Sequence, residues 1–135
     1  MNTLGIIQAR MGSTRLPNKV LLPLGNTVLL DYVYTRAVNI DGIDDVVIAT
    51  TKNKEDDAIE NWCKNKGIKC FRGSENDLLQ RFADCITFFN PDYIVRITGD
   101  CPFISIELAE LLINQTLAAS SDYGRINSGN ISIGL

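Results

Sequence analysis

Histidine is missing from the sequence altogether. Its absence removes Ser-His and Cys-His nucleophilic schemes and the commonest nitrogen ligand of zinc. Paired cysteine spacing is missing too: Cys63, Cys70, Cys85 and Cys101 contain no C-x-x-C, which leaves zinc without a ligand set. The N-terminal Met1-Asn2-Thr3-Leu4 lacks a basic stretch leading into an apolar one, so no secretory signal is read there. Four reduced thiols in the cytoplasm are therefore expected rather than disulfides. No apolar run approaches the ~20 residues that cross a bilayer. A basic excess is also lacking, since the formal net charge is -3. General nucleic-acid or membrane-surface binding would want the opposite sign, so neither is expected as a partner. What remains for catalysis is carboxylates, lysine, arginine and a metal ion.

The chain has 135 residues, enough for a single domain over 1–135 with a real core. Its 45% hydrophobic and 21% charged content fits a globular protein rather than a disordered one. The pattern alternates between strands and helices. Leu4-Gly5-Ile6-Ile7, Asp45 to Thr50, Ile68 to Phe71 and Tyr93 to Ile97 are short apolar runs of the kind buried on both faces of a sheet. Between them, Val28 to Ile40 carries apolar residues at 29, 33, 37 and 40, a helical period. Asn53 is placed to cap a helix whose first turn holds Glu55, Asp56 and Asp57, and Gly67 to stop it. Ser74 is placed to cap a helix from about Glu75 to Phe89, with Asp77 completing a capping box. A further amphipathic helix covers Ile106 to Leu117, and Trp62 is expected to pack rather than to stack on a base. Residues 120–135 are small and polar, and read as a loop-like tail or a weak edge segment. This order predicts an α/β fold of the Rossmann-like kind, a mostly parallel sheet flanked by helices. In such sheets ligands sit at the carboxyl ends of the strands. Gln8 to Lys19 and Thr98-Gly99-Asp100 fall at those ends.

The first of these segments, from Ala9 through Gly12 to Lys19, suits an anion. Gly12 can take backbone angles that let amides converge. Ser13 and Thr14 add hydroxyl donors, and Arg10, Arg15 and Lys19 bring three cations within ten positions of an otherwise acidic chain. The spacing is neither the G-x-x-x-x-G-K-[ST] phosphate loop nor the G-x-G-x-x-G fingerprint. A solvated basic loop accounts for the same residues equally well. Asp100, after Gly99, could hold Mg²⁺ against phosphates, or could instead close an Asx-type turn before Pro102. Arg72 and Gly73 precede a helix start, and capping explains them less well than it does Ser74 and Asp77. They could border a base or sugar. Arg96, in an apolar strand, is either a partnered buried cation or a site residue.

The run Ile6-Ile7-Gln8-Ala9-Arg10-Met11-Gly12-Ser13-Thr14-Arg15-Leu16-Pro17-Asn18-Lys19-Val20-Leu21 resembles the opening signature of the spore-coat polysaccharide biosynthesis protein F family. That family groups with the cytidylyltransferases that make CMP-activated acidic sugars. Val47 to Thr50, Asp56 to Ile59, Phe71 to Glu75 and Val95 to Pro102 match in the same order. The resemblance implies a nucleotide-diphospho-sugar transferase fold, with Arg10, Arg15 and Lys19 on the phosphates of CTP and Asp100 as a Mg²⁺ ligand. Arg10, Lys19 and Asp100 are then the catalytic set, and Ala9, Gly12, Ser13, Arg72 and Gly73 complete the nucleotide site. The implied reaction is attack by a sugar-acid hydroxyl on the α-phosphorus, with pyrophosphate leaving. A glycosyltransferase using a nucleotide-sugar, and a non-catalytic nucleotide-binding module, are the alternatives. Members of the family run well beyond 135 residues, and after a Gly-Leu pair they place an aspartate resembling a second metal ligand. The chain accordingly reads as truncated at its C-terminus. The relatives' sugar-binding and dimer-forming elements lie mostly past that point, which leaves the acceptor sugar and a homodimer open.

Overall fold

In the computed structural model of the protein, residues 2–12, 18–100, 105–120, 122–125 and 131–134 are described. The apolar run near the N-terminus forms β1 (Thr3–Gln8), which lies inside the sheet with a parallel neighbour on each side. Successive side chains of a strand face opposite ways. Leu4 and Ile6 therefore join one apolar cluster and Ile7 the other.

A two-residue-strand hairpin, β2 (Pro23–Leu24) and β3 (Thr27–Val28), leads into α1 (Leu29–Val38). Then follow β4 (Asp45–Thr51), α2 (Asp57–Lys66), β5 (Lys69–Gly73), α3 (Leu78–Phe89), β6 (Tyr93–Thr98) and α4 (Ile106–Ala118). Two short strands, β7 (Tyr123–Arg125) and β8 (Ile131–Gly134), complete the described elements. The sheet order is β5-β4-β1-β6-β8-β7. The first four strands are parallel, as the apolar runs predict, and β8 and β7 are antiparallel to their neighbours. Helix α3 covers one face through Phe82 and Cys85, against Leu4, Ile6, Val47 and Ala49. Helices α1, α2 and α4 cover the other, through Leu30, Val33, Ile59, Cys63, Ala109 and Ile113. Trp62 packs against that second cluster, as expected. Among the described residues no helix is long and apolar enough to cross a membrane.

Three local expectations are corrected. Asn53 makes no side-chain cap; a single 3-10 turn, Lys54–Asp56, intervenes before α2, and Asp56 turns inward instead of serving the helix end. Ser74 is not the cap of α3: its hydroxyl accepts from the Asp77 amide at 3.2 Å, and the Asp77 carboxylate in turn accepts from the Gln80 amide at 3.0 Å. The helix thus starts at Leu78, three residues later than the capping-box reading gave. The tail, read as loop or weak edge, does supply β7 at the sheet's edge, but it also supplies β8 inside the sheet beside β6, which that reading did not include. Short strands with little apolar content are held by ladder hydrogen bonds, which composition does not reveal.

Candidate functional site

Strand order runs outward from β1 through β4 to β5, then returns to place β6 on the other side of β1. The carboxyl ends of β1 and β6 are thereby side by side, with Gln8 opposite Thr98. Beyond them the Gly99 amide donates to the Gln8 carbonyl at 2.8 Å. A side chain at Gly99 would bring its Cβ to 2.6 Å from that oxygen and 3.1 Å from Ala9 Cβ. Glycine is needed here for close approach, and Asp100 is delivered to the β1 loop as a result.

The loop itself is pinned at both ends. Ala9 donates to the Ala49 carbonyl, Met11 donates to Asp56 Oδ1 at 2.7 Å, and Asn18 donates back to the Met11 carbonyl at 2.9 Å. Asp56, 1% exposed, also accepts from the Thr51 hydroxyl. Asn18 carries a left-handed φ of 62°, which turns the chain into the 3-10 turn Lys19–Leu21. Lys19 Nζ is brought to 3.8 Å from Asp100 Oδ2, with both side chains more than a third exposed. So loose and wet an ion pair contributes little to stability. It leaves both charges available to a ligand.

These ends open into a cavity of about 540 Å³, the size of a small-molecule site. Gln8, Ala9 and Arg10 line one wall, Lys19 and Val20 another, and Thr98, Gly99 and Asp100 a third. Glu75, Asn76, Leu78 and Arg81, from the turn before α3 and its first residues, face them. Of the residues singled out from sequence, Ala9, Arg10, Lys19 and Asp100 are brought together. Ser13, Thr14 and Arg15 lie outside the described residues.

Gly12, Arg72 and Gly73 are not among the residues lining the cavity. Gly12 does not have a positive φ, contrary to the backbone-freedom argument. Instead, its missing side chain makes room for Glu55, whose Oε1 a Cβ would meet at 2.6 Å. Arg72 is committed elsewhere: it donates to the Thr51 and Asn53 carbonyls at 2.7 and 2.6 Å and pairs with Asp57 at 2.6 Å. Burial works against its charge, but the hydrogen bond to Asp57 and the carboxylates of Asp57, Glu60 and Asp56 more than offset that, so its pKa rises. It fastens β5 to the start of α2. Arg96 is exposed rather than a buried cation and is not among the residues lining the cavity. Its Nε nevertheless donates to Oε1 of Gln8, which does line it, at 2.9 Å, and its guanidinium lies over the Phe82 ring at 5.4 Å. The free thiols of Cys63, Cys70 and Cys85 do not line the cavity, and Cys101 is outside the described residues. Burial pushes the Cys85 thiol up to about 12, which leaves it protonated and inert.

Sequence reasoning missed Arg81. It is 4% exposed, lines the cavity, and its Nε and Nη1 are buried without a partner among the described residues. Burial, and then the charge of Arg10, lower its pKa. The signal was available in the sequence: Leu78, Phe82, Cys85 and Phe89 form the apolar stripe of α3, and Arg81 lies on it, three residues after Leu78 and four before Cys85. Thr98, whose Oγ1 is likewise buried and unpartnered, also lines the cavity.

A cavity lined by Arg10, Lys19 and Arg81 with the exposed carboxylates of Glu75 and Asp100, at the carboxyl ends of parallel strands, is an arrangement suited to a phosphate-bearing ligand in an α/β protein. The chain belongs to the cytidylyltransferase family of nucleotidyltransferases, whose model matches residues 4–134. An uncharacterised protein of Methanocaldococcus jannaschii is 46% identical over 135 residues, all of this chain and 55% of that one. The spore coat polysaccharide biosynthesis protein SpsF of Bacillus subtilis is 44% identical over 132 residues, 95% of this chain and 55% of that one. A solved cytidylyltransferase from Leptospira borgpetersenii superposes with a TM-score of 0.86 at 37% identity, covering 99% of this chain and 60% of that one. The chain thus spans about half the length of the curated relatives it matches.

Proposed function

We propose that the cavity binds the triphosphate of CTP, and that the protein transfers the cytidylyl group to a sugar acid for surface polysaccharide biosynthesis in the cytoplasm. The observation that carries this reading is the approach of Lys19 to Asp100 at 3.8 Å across the ends of β1 and β6, with Arg10 in the same cavity. Arg10, Lys19 and Arg81 around a single space with the carboxylates of Asp100 and Glu75 match a polyphosphate that arrives with a divalent ion. Family membership supports the choice of nucleotide, and the similarity to the spore coat polysaccharide protein supports the link to surface polysaccharide biosynthesis.

Asp100 offers oxygen ligands, which suit Mg²⁺, and among the described residues no three ligating side chains form a cage. Mg²⁺ is commonly held by one or two carboxylates together with substrate phosphates, so Asp100 would share the ion with CTP. Bound there, the ion would neutralise charge on the phosphates. Lys19 and Arg10 supply the remaining positive charge and fix the triphosphate, with Ser13 and Arg15 of the same loop proposed to add to them. A sugar-acid hydroxyl attacks the α-phosphorus, losing its proton, and the bond to pyrophosphate breaks. Catalysis is positioning and charge neutralisation, which needs neither a covalent intermediate nor a histidine.

The test is a thermal-shift panel of CTP, UTP, GTP and ATP, each with and without Mg²⁺. CTP is expected to raise the melting temperature most, and only in full with the metal. Lys19→Ala should weaken CTP binding by about tenfold or more, as loss of a charge-assisted contact to phosphate would. Asp100→Asn should chiefly abolish the effect of Mg²⁺. Indifference of the wild-type protein to all four nucleotides would sink the proposal.

A further inference from the structure

Arg81 has no structural employment that the fold can account for. Its neighbours on α3, Phe82 and Cys85, pack into the apolar cluster over β1 and β4, and a helix face of that kind needs no guanidinium. An unpaired buried charge is among the costliest things a fold can contain. Most buried polar groups have partners, so an exception calls for an explanation. Here the surroundings make the cost larger. Arg81 forms no salt bridge with any described residue, and the repulsion of Arg10 outweighs the attraction of Asp56.

The chain nevertheless makes room for it. A Cβ at Gly73 would come to 2.9 Å from Arg81 Cγ and 3.3 Å from its Cα. Glycine at 73 therefore lets the stem of Arg81 lie against the end of β5. Gly73 is thus tied to the cavity indirectly, through the arginine it accommodates. Beside it in the same cavity, the hydroxyl of Thr98 is a second buried polar group without a partner.

Two arginines that line one cavity, one of them buried with Nε and Nη1 unpartnered among the described residues, define a place for an anion with several acceptor oxygens. We infer that Arg81 is a ligand-binding residue, gripping a phosphate of the bound nucleotide from the α3 side of the cavity while Arg10 holds it from the β1 side. The inference rests on the nucleotide reading for the identity of the phosphate. The anion site itself follows from the side chains alone. Guanidinium can grip phosphate with two parallel hydrogen bonds, and on Arg81 both Nε and Nη1 are without a partner among the described residues.

The experiment measures two things for Arg81→Met and Arg81→Lys: the melting temperature without ligand, and calorimetric affinity for CTP and for inorganic pyrophosphate. Arg81→Met removes a buried unpaired charge while keeping the stem. The unliganded protein is therefore expected to melt at the wild-type temperature or higher, while both affinities fall by about tenfold or more. A residue with a merely structural role would move these readouts the other way, lowering the melting temperature and leaving affinity alone, and that result would overturn the inference. Should Arg81→Met lower both, Arg81→Lys decides. Wild-type stability with weakened pyrophosphate binding supports the role, and wild-type binding overturns it. If the wild-type protein ignores CTP but binds pyrophosphate through Arg81, the nucleotide reading fails and the anion site stands. If it binds CTP and Arg81→Met binds equally well, the nucleotide reading stands and this inference falls.

Discussion

Asp56 is the residue on which the candidate site depends without containing it. From the sequence it is one of three acids at a helix start, and the helix dipole explains it adequately. In the fold it is 1% exposed and accepts from the Met11 amide and the Thr51 hydroxyl, so it ties the loop after β1 to the end of β4. Replacing it with alanine strands both donors in a place water does not reach. The expected loss is on the order of 3 kcal/mol, since an orphaned buried group costs about 1–3 kcal/mol. Asp56→Asn keeps an acceptor and should lose less. Denaturant unfolding of the two variants checks this, and a change below about 0.5 kcal/mol for alanine, the level of an ordinary surface substitution, would show that the anchor is not needed. The role was illegible because the partner amide lies 45 positions away, and no local pattern carries such a pairing. Lys19 and Asp100 were legible for the opposite reason. Asp100 stands just after β6 and Lys19 closes the segment that follows β1, and the apolar pattern locates the ends of both strands.

At the scale of elements, β6 and the turn after it show how a close backbone approach positions chemistry. The apolar period predicts the strand, and the rule for parallel sheets predicts that its carboxyl end faces the ligand. What the period does not predict is the contact between Gly99 and the end of β1, a matter of one missing Cβ. Gly99→Ala would push against the Gln8 carbonyl and Ala9, neither of which can swing aside as a flexible side chain does. The core below is untouched, so the fold should survive with a loss of roughly 1–3 kcal/mol, as for other overpacked sites. CTP affinity should fall more steeply, because Asp100 moves away from Lys19. Titration calorimetry beside thermal melting separates the two effects. Wild-type affinity in a destabilised Gly99→Ala protein would mean that the spacing of Asp100 from the loop is not what the site requires. Helix α3 makes a related point, because its apolar stripe of Leu78, Phe82, Cys85 and Phe89 carries one charged residue, Arg81. A cation on a buried face is worth more attention than the residues that fit there.

The whole molecule is layered, with helices on both faces of a sheet whose middle strands are doubly covered. Four of the six strands in that sheet were visible as apolar runs because burial on both faces demands them. The remaining two were not, because Tyr123-Gly124-Arg125 and Ile131-Ser132-Ile133-Gly134 are short and mixed. Only the second shows an alternation that could have suggested a strand. Their presence changes what flanks the site. β6 is not the edge of the sheet but is paired on its far side by β8, so the strand that delivers Asp100 is held from two directions. This graded arrangement predicts graded protection in native-state hydrogen exchange. β1 has parallel partners on both sides, and Leu4, Ile6 and Ile7 are at most 2% exposed. β7 is a three-residue edge with a neighbour on one side only, and its Tyr123 is 61% exposed. Amides of β1 should exchange slowest, near the limit set by global unfolding. Those of β7 should exchange on the order of 100-fold faster through local opening. Mass-resolved exchange on peptides covering 3–8 and 122–125 reads the difference directly. Equal protection of the two strands would mean that the edge opens only with the core, and that β7 and β8 belong to the same cooperative unit as the strands that carry the site.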